Sequence, residues 1–165
     1  MRPAFCSLDT PIGRLWVVVT VDGLRAISRG GLPPSGAEPD DAACASVLRE
    51  LAFYFHGRLR RFSVELDLTD ASAFDAAVWR ACREIPYGET ASYGELGLMA
   101  GYPRAGRAVG GAMARCPVAP VVPCHRVIRA DGSLGGYGPE PWVKRWLLDF
   151  EAGHSGARTG STHTR

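Results

Sequence analysis

Apolar and polar positions alternate from Ser7 to Thr20, a run rich in Val, Leu and Trp, which predicts β-strand. Asp22-Gly23 then supplies a turn, and Gly23 to Ser28 returns, so the N-terminus reads as a hairpin in an antiparallel sheet. Gly, Pro and acidic residues between Arg29 and Asp41 mark a surface loop. Asp41 opens an amphipathic helix running to about Phe55, and Arg61 to Leu68 reads as a further strand. Residues 1–70 therefore form a small α/β domain without evident chemistry of its own.

After Thr69 to Ser72 the hydrophobic period changes. Phe74, Ala77, Val78, Ala81 and Cys82 have helical spacing, and Ile85-Pro86-Tyr87-Gly88 ends that helix. Ser92 with Glu95 three residues on is a capping box for a helix reaching Met99. Gly101-Tyr102-Pro103 breaks the chain, and Arg104 to Ala114 resumes it. Two short helices around a tight turn suggest a helix-turn-helix in a mostly α-helical second domain, residues 71–152. Small residues fill the second helix (Ala105, Gly106, Ala108, Gly110, Gly111, Ala112), so its backbone comes close either to a DNA groove or to another helix; both readings stay open. Val121 to Ile128 is an apolar, strand-like run interrupted by Pro123. Residues 153–165, rich in Gly, Ser, Thr and His, read as a disordered tail.

With 165 residues, 46% of them hydrophobic, the chain can bury a substantial core. Its longest apolar stretches, Leu15 to Val21 and Val118 to Pro123, fall short of the roughly 18 residues of a membrane span. The N-terminus lacks a basic-then-apolar secretory pattern, so a cytoplasmic location is expected. Five cysteines at irregular spacings, without a CxxC pair, indicate free thiols rather than disulfides or a metal site, and His56, His154 and His163 are scattered. The net charge of +2 says little, but its distribution says more. No acidic residue lies between Glu95 and Asp131, a stretch that holds Arg104, Arg107, Arg115, Arg126 and Arg129 and could meet phosphates or be ordinary surface. Cys124 and His125 are adjacent, but neighbours in extended chain point to opposite sides, so their contact does not follow from adjacency.

The second half resembles the O6-alkylguanine-DNA alkyltransferase family. The resemblance runs through Ile85-Pro86-Tyr87-Gly88-Glu89-Thr90, Ser92-Tyr93, Arg107 to Ala112, Pro123-Cys124-His125-Arg126-Val127-Ile128, Gly135 to Gly138 and Lys144 to Glu151. The first half matches in Ser7 to Gly13 and in Leu51, Tyr54, Phe55 and Gly57. The resemblance implies a ribonuclease H-like N-terminal domain, and a C-terminal domain that binds double-stranded DNA through its minor groove. Cys124 would accept the alkyl group from O6-alkylguanine or O4-alkylthymine, His125 would serve as base through a water, Glu151 would orient His125, and Tyr93 would act on the departing purine. The product of attack on a saturated carbon is a thioether that water cannot cleave, so each molecule acts once. The target nucleotide must be flipped out of the stack. Arg107 would fill the gap, Ala105, Gly106 and Gly110 would allow close approach, Ser92 and Arg104 would also touch DNA, and Val127, Leu134, Tyr137 and Gly138 would cradle the base. No cofactor, no metal and a monomer are expected, the scattered histidines leaving no evident ligand set beyond Cys6 for the structural zinc that some members of the family carry.

The chain departs from the family at Cys116-Pro117, where the family has Asn-Pro. A thiol is a weaker hydrogen-bond partner than an amide, so packing is expected to hold that turn instead. Pro139-Glu140-Pro141 stiffens the loop after Gly138. Three other readings remain: a lesion-binding module without an acceptor thiol, against which Cys124 argues; a cysteine hydrolase using Cys124, His125 and Glu151; and a transcription factor.

Overall fold

The structure, a computed structural model, describes residues 2–136 and 140–163, with side chains as far as residue 155. Tyr137 and Gly138, expected at the base pocket, lie outside the described residues. The chain divides into two compact units, Met1–Asp70 and Ala71–Arg165.

In the first unit β1 (Ala4–Thr10), β2 (Gly13–Thr20) and β3 (Gly23–Arg29) form an antiparallel meander. The expected single strand from Ser7 to Thr20 is thus two strands. Thr10 Oγ1 accepts the Ile12 N–H at 3.1 Å and Gly13 adopts φ +107°, which closes a turn within the alternating run. The loop after β3 contributes β4 (Glu38–Pro39), paired parallel to β1, so the sheet is mixed rather than antiparallel, in the order β3-β2-β1-β4. Helix α1 (Ala45–Phe55) buries Val47, Leu51 and Tyr54, one helical face. The expected strand from Arg61 to Leu68 is a single bridge, Leu24 to Leu66. Glu50 of α1 is the reason: its carboxylate accepts the N–H groups of Ser63 (2.9 Å) and Val64 (3.3 Å), which a neighbouring strand would otherwise take.

The second unit starts with α2 (Ala73–Cys82), capped by Ser72 Oγ accepting the Asp75 N–H at 3.0 Å. β5 (Ala91–Ser92) leads into α3 (Tyr93–Met99), and α4 (Gly106–Ala114) follows. The capping box at Ser92 and Glu95 forms as the sequence predicts, with both of its hydrogen bonds present. Between α3 and α4 the Tyr102 N–H donates to the Gly97 carbonyl at 2.8 Å, and Arg104 sits at φ +59°. β6 (Val127–Ile128) pairs with β5, and α5 (Pro141–His163) closes the unit. The helix α5 continues where a disordered tail was expected from residue 153. Contacts hold its continuation: His154 Nδ1–H donates to the Phe150 carbonyl at 2.7 Å, the two rings lie 4.3 Å apart, and Gly88 abuts Ser155.

Helices α3 and α4 approach closely because of one residue. A Cβ on Gly97 would stand 2.9 Å from the Tyr102 carbonyl oxygen and 3.4 Å from Val109. Gly97→Ala is therefore expected to cost about 1–3 kcal/mol through overpacking against backbone. Thermal unfolding measures it, and a midpoint equal to that of the parent would mean that the two helices have slack.

Candidate active site

Three prolines, Pro117, Pro120 and Pro123, recur at every third position before the Cys-His pair, and none can donate to a ladder. The strand-like run from Val121 therefore folds as turns, with Val122 N–H donating to the Val118 carbonyl (3.2 Å) and Cys124 N–H to the Val122 carbonyl (2.7 Å). Cys124, His125 and Arg126 form one 3-10 turn before the two-residue strand β6. Its three residues per turn send these side chains in three directions, unlike the opposed faces of a strand. All three are buried, His125 completely and Cys124 at 7% exposure.

Glu151, on the inner face of α5, gathers the turn. Its Oε2 accepts from His125 Nε2 at 2.7 Å and from Arg126 Nη2 at 2.9 Å; its Oε1 accepts from Arg126 Nε at 2.8 Å and from Gly88 N–H at 3.3 Å. Arg126 Nη1 also donates to the Ile85 carbonyl at 2.7 Å. Burial alone would raise the Glu151 carboxyl, but the donors of His125 and Arg126 outweigh it and hold the group well below the usual carboxylate range. Arg126 neutralises that charge, and burial keeps His125 below its ordinary pKa despite the pull of Glu151. The imidazole is therefore neutral with its proton on Nε2. Its Nδ1 lone pair is buried without a hydrogen-bond partner among the described residues.

These shifts set a pH dependence. Near pH 6 an unfolded imidazole binds a proton more readily than folded His125 does. Below about pH 4.5 the same holds for Glu151. The contribution of these two groups to stability is therefore full above about pH 6.5 and falls in two stages as the pH is lowered. Denaturant midpoints between pH 4 and 8 check this, and a flat profile across pH 5 to 7 would contradict a neutral buried His125.

One helical face of α5 also carries Lys144, 1% exposed. Burial pulls its ammonium down to about 8, and it donates to the carbonyls of Val127 (2.6 Å), Leu134 and Gly136 (3.4 Å). It thus ties the turn after Cys124 to the loop near residue 135, and lies 5.9 Å from the Tyr93 ring centroid. Tyr93, half-buried at the start of α3, has its hydroxyl against Gly135, where a Cβ would stand 3.0 Å away and φ is +74°. Burial raises the Tyr93 phenol, so it stays protonated at neutral pH. Val127 is buried and Leu134 partly so, both held by Lys144.

Along α4, Val109 and Ala112 face inward, whereas Arg107 and Ala108 are exposed and Gly110 has open space where a Cβ would be. The small residues thus serve two purposes, packing on one face and leaving a low outer surface on the other. Ala105 and Gly106 are partly covered, Arg104 is exposed, and Ser92 uses its hydroxyl oxygen as a helix cap. The cationic run is smaller than its sequence suggests. Arg126 is spent inside, and the charge of Arg115, though exposed, is matched by Asp75 through two hydrogen bonds of 2.9 Å; Arg104, Arg107 and Arg129 are exposed as well. The reading from sequence gave Arg126 and Lys144 no role in the site. Both lie within the family-like segments, but only their burial reveals what they hold.

A buried thiol beside a neutral, carboxylate-anchored imidazole, carried next to a helix-turn-helix, defines a DNA-binding class of protein with cysteine chemistry. Residues 73–153 match the model of the 6-O-methylguanine DNA methyltransferase DNA-binding domain, and residues 5–68 that of its ribonuclease-like domain. The chain belongs to the 6-O-methylguanine DNA methyltransferase family. A methylated-DNA–protein-cysteine methyltransferase of Mycolicibacterium paratuberculosis is 44% identical over 155 residues, 92% of this chain and 93% of that one. A DNA base-flipping protein of Thermus thermophilus is 41% identical over 145 residues, 87% of this chain and 97% of that one. The fold is similar to that of Mycobacterium tuberculosis OGT in complex with DNA, with a TM-score of 0.84 and 41% identity over 92% of this chain and 94% of that one.

Proposed function

We propose that this protein repairs DNA by taking the alkyl group of O6-alkylguanine, and of O4-alkylthymine, onto Cys124 Sγ, once per molecule. The observation that carries this reading is the unpartnered, buried Nδ1 of a His125 whose Nε2–H is held by Glu151. A neutral imidazole anchored in that way is a base. The neighbouring Cys116 thiol and burial hold the Cys124 thiol well above its ordinary range, so the base is needed to make a nucleophile of it.

In the proposed step His125 Nδ1 takes the Cys124 proton through a water while the sulfur attacks the alkyl carbon. The bond from carbon to O6 breaks, and its electron pair passes into the purine, where the Tyr93 hydroxyl donates to the ring. The imidazolium formed is stabilised by Glu151. The product is a thioether with no carbonyl for water to attack, which makes the transfer irreversible.

DNA is the partner, engaged through α4 in the minor groove. The target base is flipped into the space by Val127 and Leu134, and Arg107 enters the gap it leaves. Ala105, Gly106 and Gly110 give the close approach, with Arg104 and Ser92 at the backbone. The protein works as a monomer inside the cell; among the described residues no helix is long and apolar enough to cross a membrane.

The relative named for base flipping keeps a second reading alive, recognition without transfer. Intact-protein mass after incubation with duplex DNA carrying one O6-methylguanine decides between them. Transfer adds one methyl group per molecule and then stops. Unchanged mass with lesion-selective binding would favour recognition alone, and product beyond one equivalent would favour a hydrolase.

A further inference from the structure

Helix α2 reaches the last turn of α4 with two side chains that stand one turn apart. Trp79 Nε1–H donates to the Ala112 carbonyl at 2.9 Å, and the Asp75 carboxylate accepts from Arg115 Nε and Nη2, both at 2.9 Å. The Arg115 side chain is 59% exposed and that of Asp75 10%, so a solvent-facing cation is matched by a carboxylate set into the protein. The hydrogen bonds from Arg115 hold the Asp75 carboxyl below its ordinary range, which keeps both partners charged at neutral pH.

The pair lies along the outer surface of α4. Residues three and four apart share a helix face, which puts Ala108, Gly111 and Arg115 on one line, beside Arg107 and Gly110. Arg115 turns back over Gly111, with Nη1 3.2 Å from where a Cβ there would stand. Its guanidinium thus sits on the side of α4 that exposes Ala108. A phosphate arriving at this end of the helix meets a pair without net charge instead of a bare cation.

We propose that Asp75 masks Arg115 and so limits how tightly this protein holds undamaged DNA. The inference rests on the reading that α4 enters the groove. Each phosphate neutralised by a cation steepens the fall of log affinity with log salt by about 0.9, and such contacts carry no sequence information. Masking one cation therefore weakens binding at every site by the same factor. A protein that acts once is served by this, because undamaged sites far outnumber lesions and are left sooner.

Asp75→Asn removes the charge but keeps the size of the side chain, and the backbone N–H that Ser72 accepts is unaffected. On undamaged duplex at about 0.1 M salt the variant should bind about five- to tenfold tighter than the parent, with a salt slope steeper by about 0.9. Asp75→Asn/Arg115→Met leaves neither partner buried alone and should return to the parent's affinity and slope. Fluorescence anisotropy across a salt series reads all of these. A parent slope in Asp75→Asn would overturn the proposal. So would a slope shallower by about 0.9 in the double variant, since Arg115 would then be holding phosphate in the parent. Arg107→Ala, measured beside them, separates the two readings. If it binds more weakly while Asp75→Asn keeps the parent slope, masking fails and the α4 reading stands. If both keep the parent slope, the α4 reading fails as well.

Discussion

Cys124→Ala is expected to reduce alkyl transfer to the uncatalysed background while leaving lesion-selective DNA binding within about threefold of the parent. The substitution removes the only atom that forms the new bond, yet the groups proposed to meet DNA, on α4 and at the start of α3, are untouched. Truncating a small side chain that is 7% exposed costs about 1 kcal/mol and leaves the fold intact. Fluorescence anisotropy with lesion-bearing and undamaged duplexes reads the binding, and protein mass reads the transfer. Residual methylation of the variant at another cysteine would move the acceptor elsewhere. A collapse of binding together with transfer would mean that the thiol shapes the pocket as well as reacting in it.

The second large effect belongs to a residue that never touches the alkyl group. Glu151→Gln keeps size and shape but removes the charge that Arg126 was buried against, and sets an amide N–H2 where two donors converge. Breaking a buried ion pair on one side costs about 3–5 kcal/mol, which for a chain of this length lowers the thermal midpoint by on the order of 10 °C. At temperatures where the variant stays folded, transfer should still slow by about 100-fold or more, because His125 loses the partner that fixes its tautomer and stabilises its protonated form. Adding Arg126→Met should recover part of the stability, since the orphaned charge goes with it, but none of the rate. Equal recovery of both would show that Glu151 serves the fold alone.

Much of this arrangement was legible in residue order. Ser92 announced the helix it caps, the Gly101-Tyr102-Pro103 break announced the turn between α3 and α4, and the family-like segments pointed to Cys124, His125 and Glu151. These signals are local: a cap needs a hydroxyl at one position, and a turn needs a residue free to take positive φ. Other expectations failed where distant partners intervene. Arg61 to Leu68 has strand composition, but Glu50, more than ten positions earlier, takes its N–H groups. Five arginines looked like one basic surface until Asp75 and Glu151 claimed two of them.

The order of residues therefore predicted most element types, placed a division near residue 70 and pointed to Cys124 as the reactive thiol, since each depends on short-range periodicity or on a motif read in sequence. Tertiary structure alone decided the electrostatics. The neutrality of His125, the buried pairing of Arg126 and the carbonyl clamp of Lys144 all join residues from separate segments. Burial and pairing set a group's charge, and neither is a property of any stretch of sequence taken by itself.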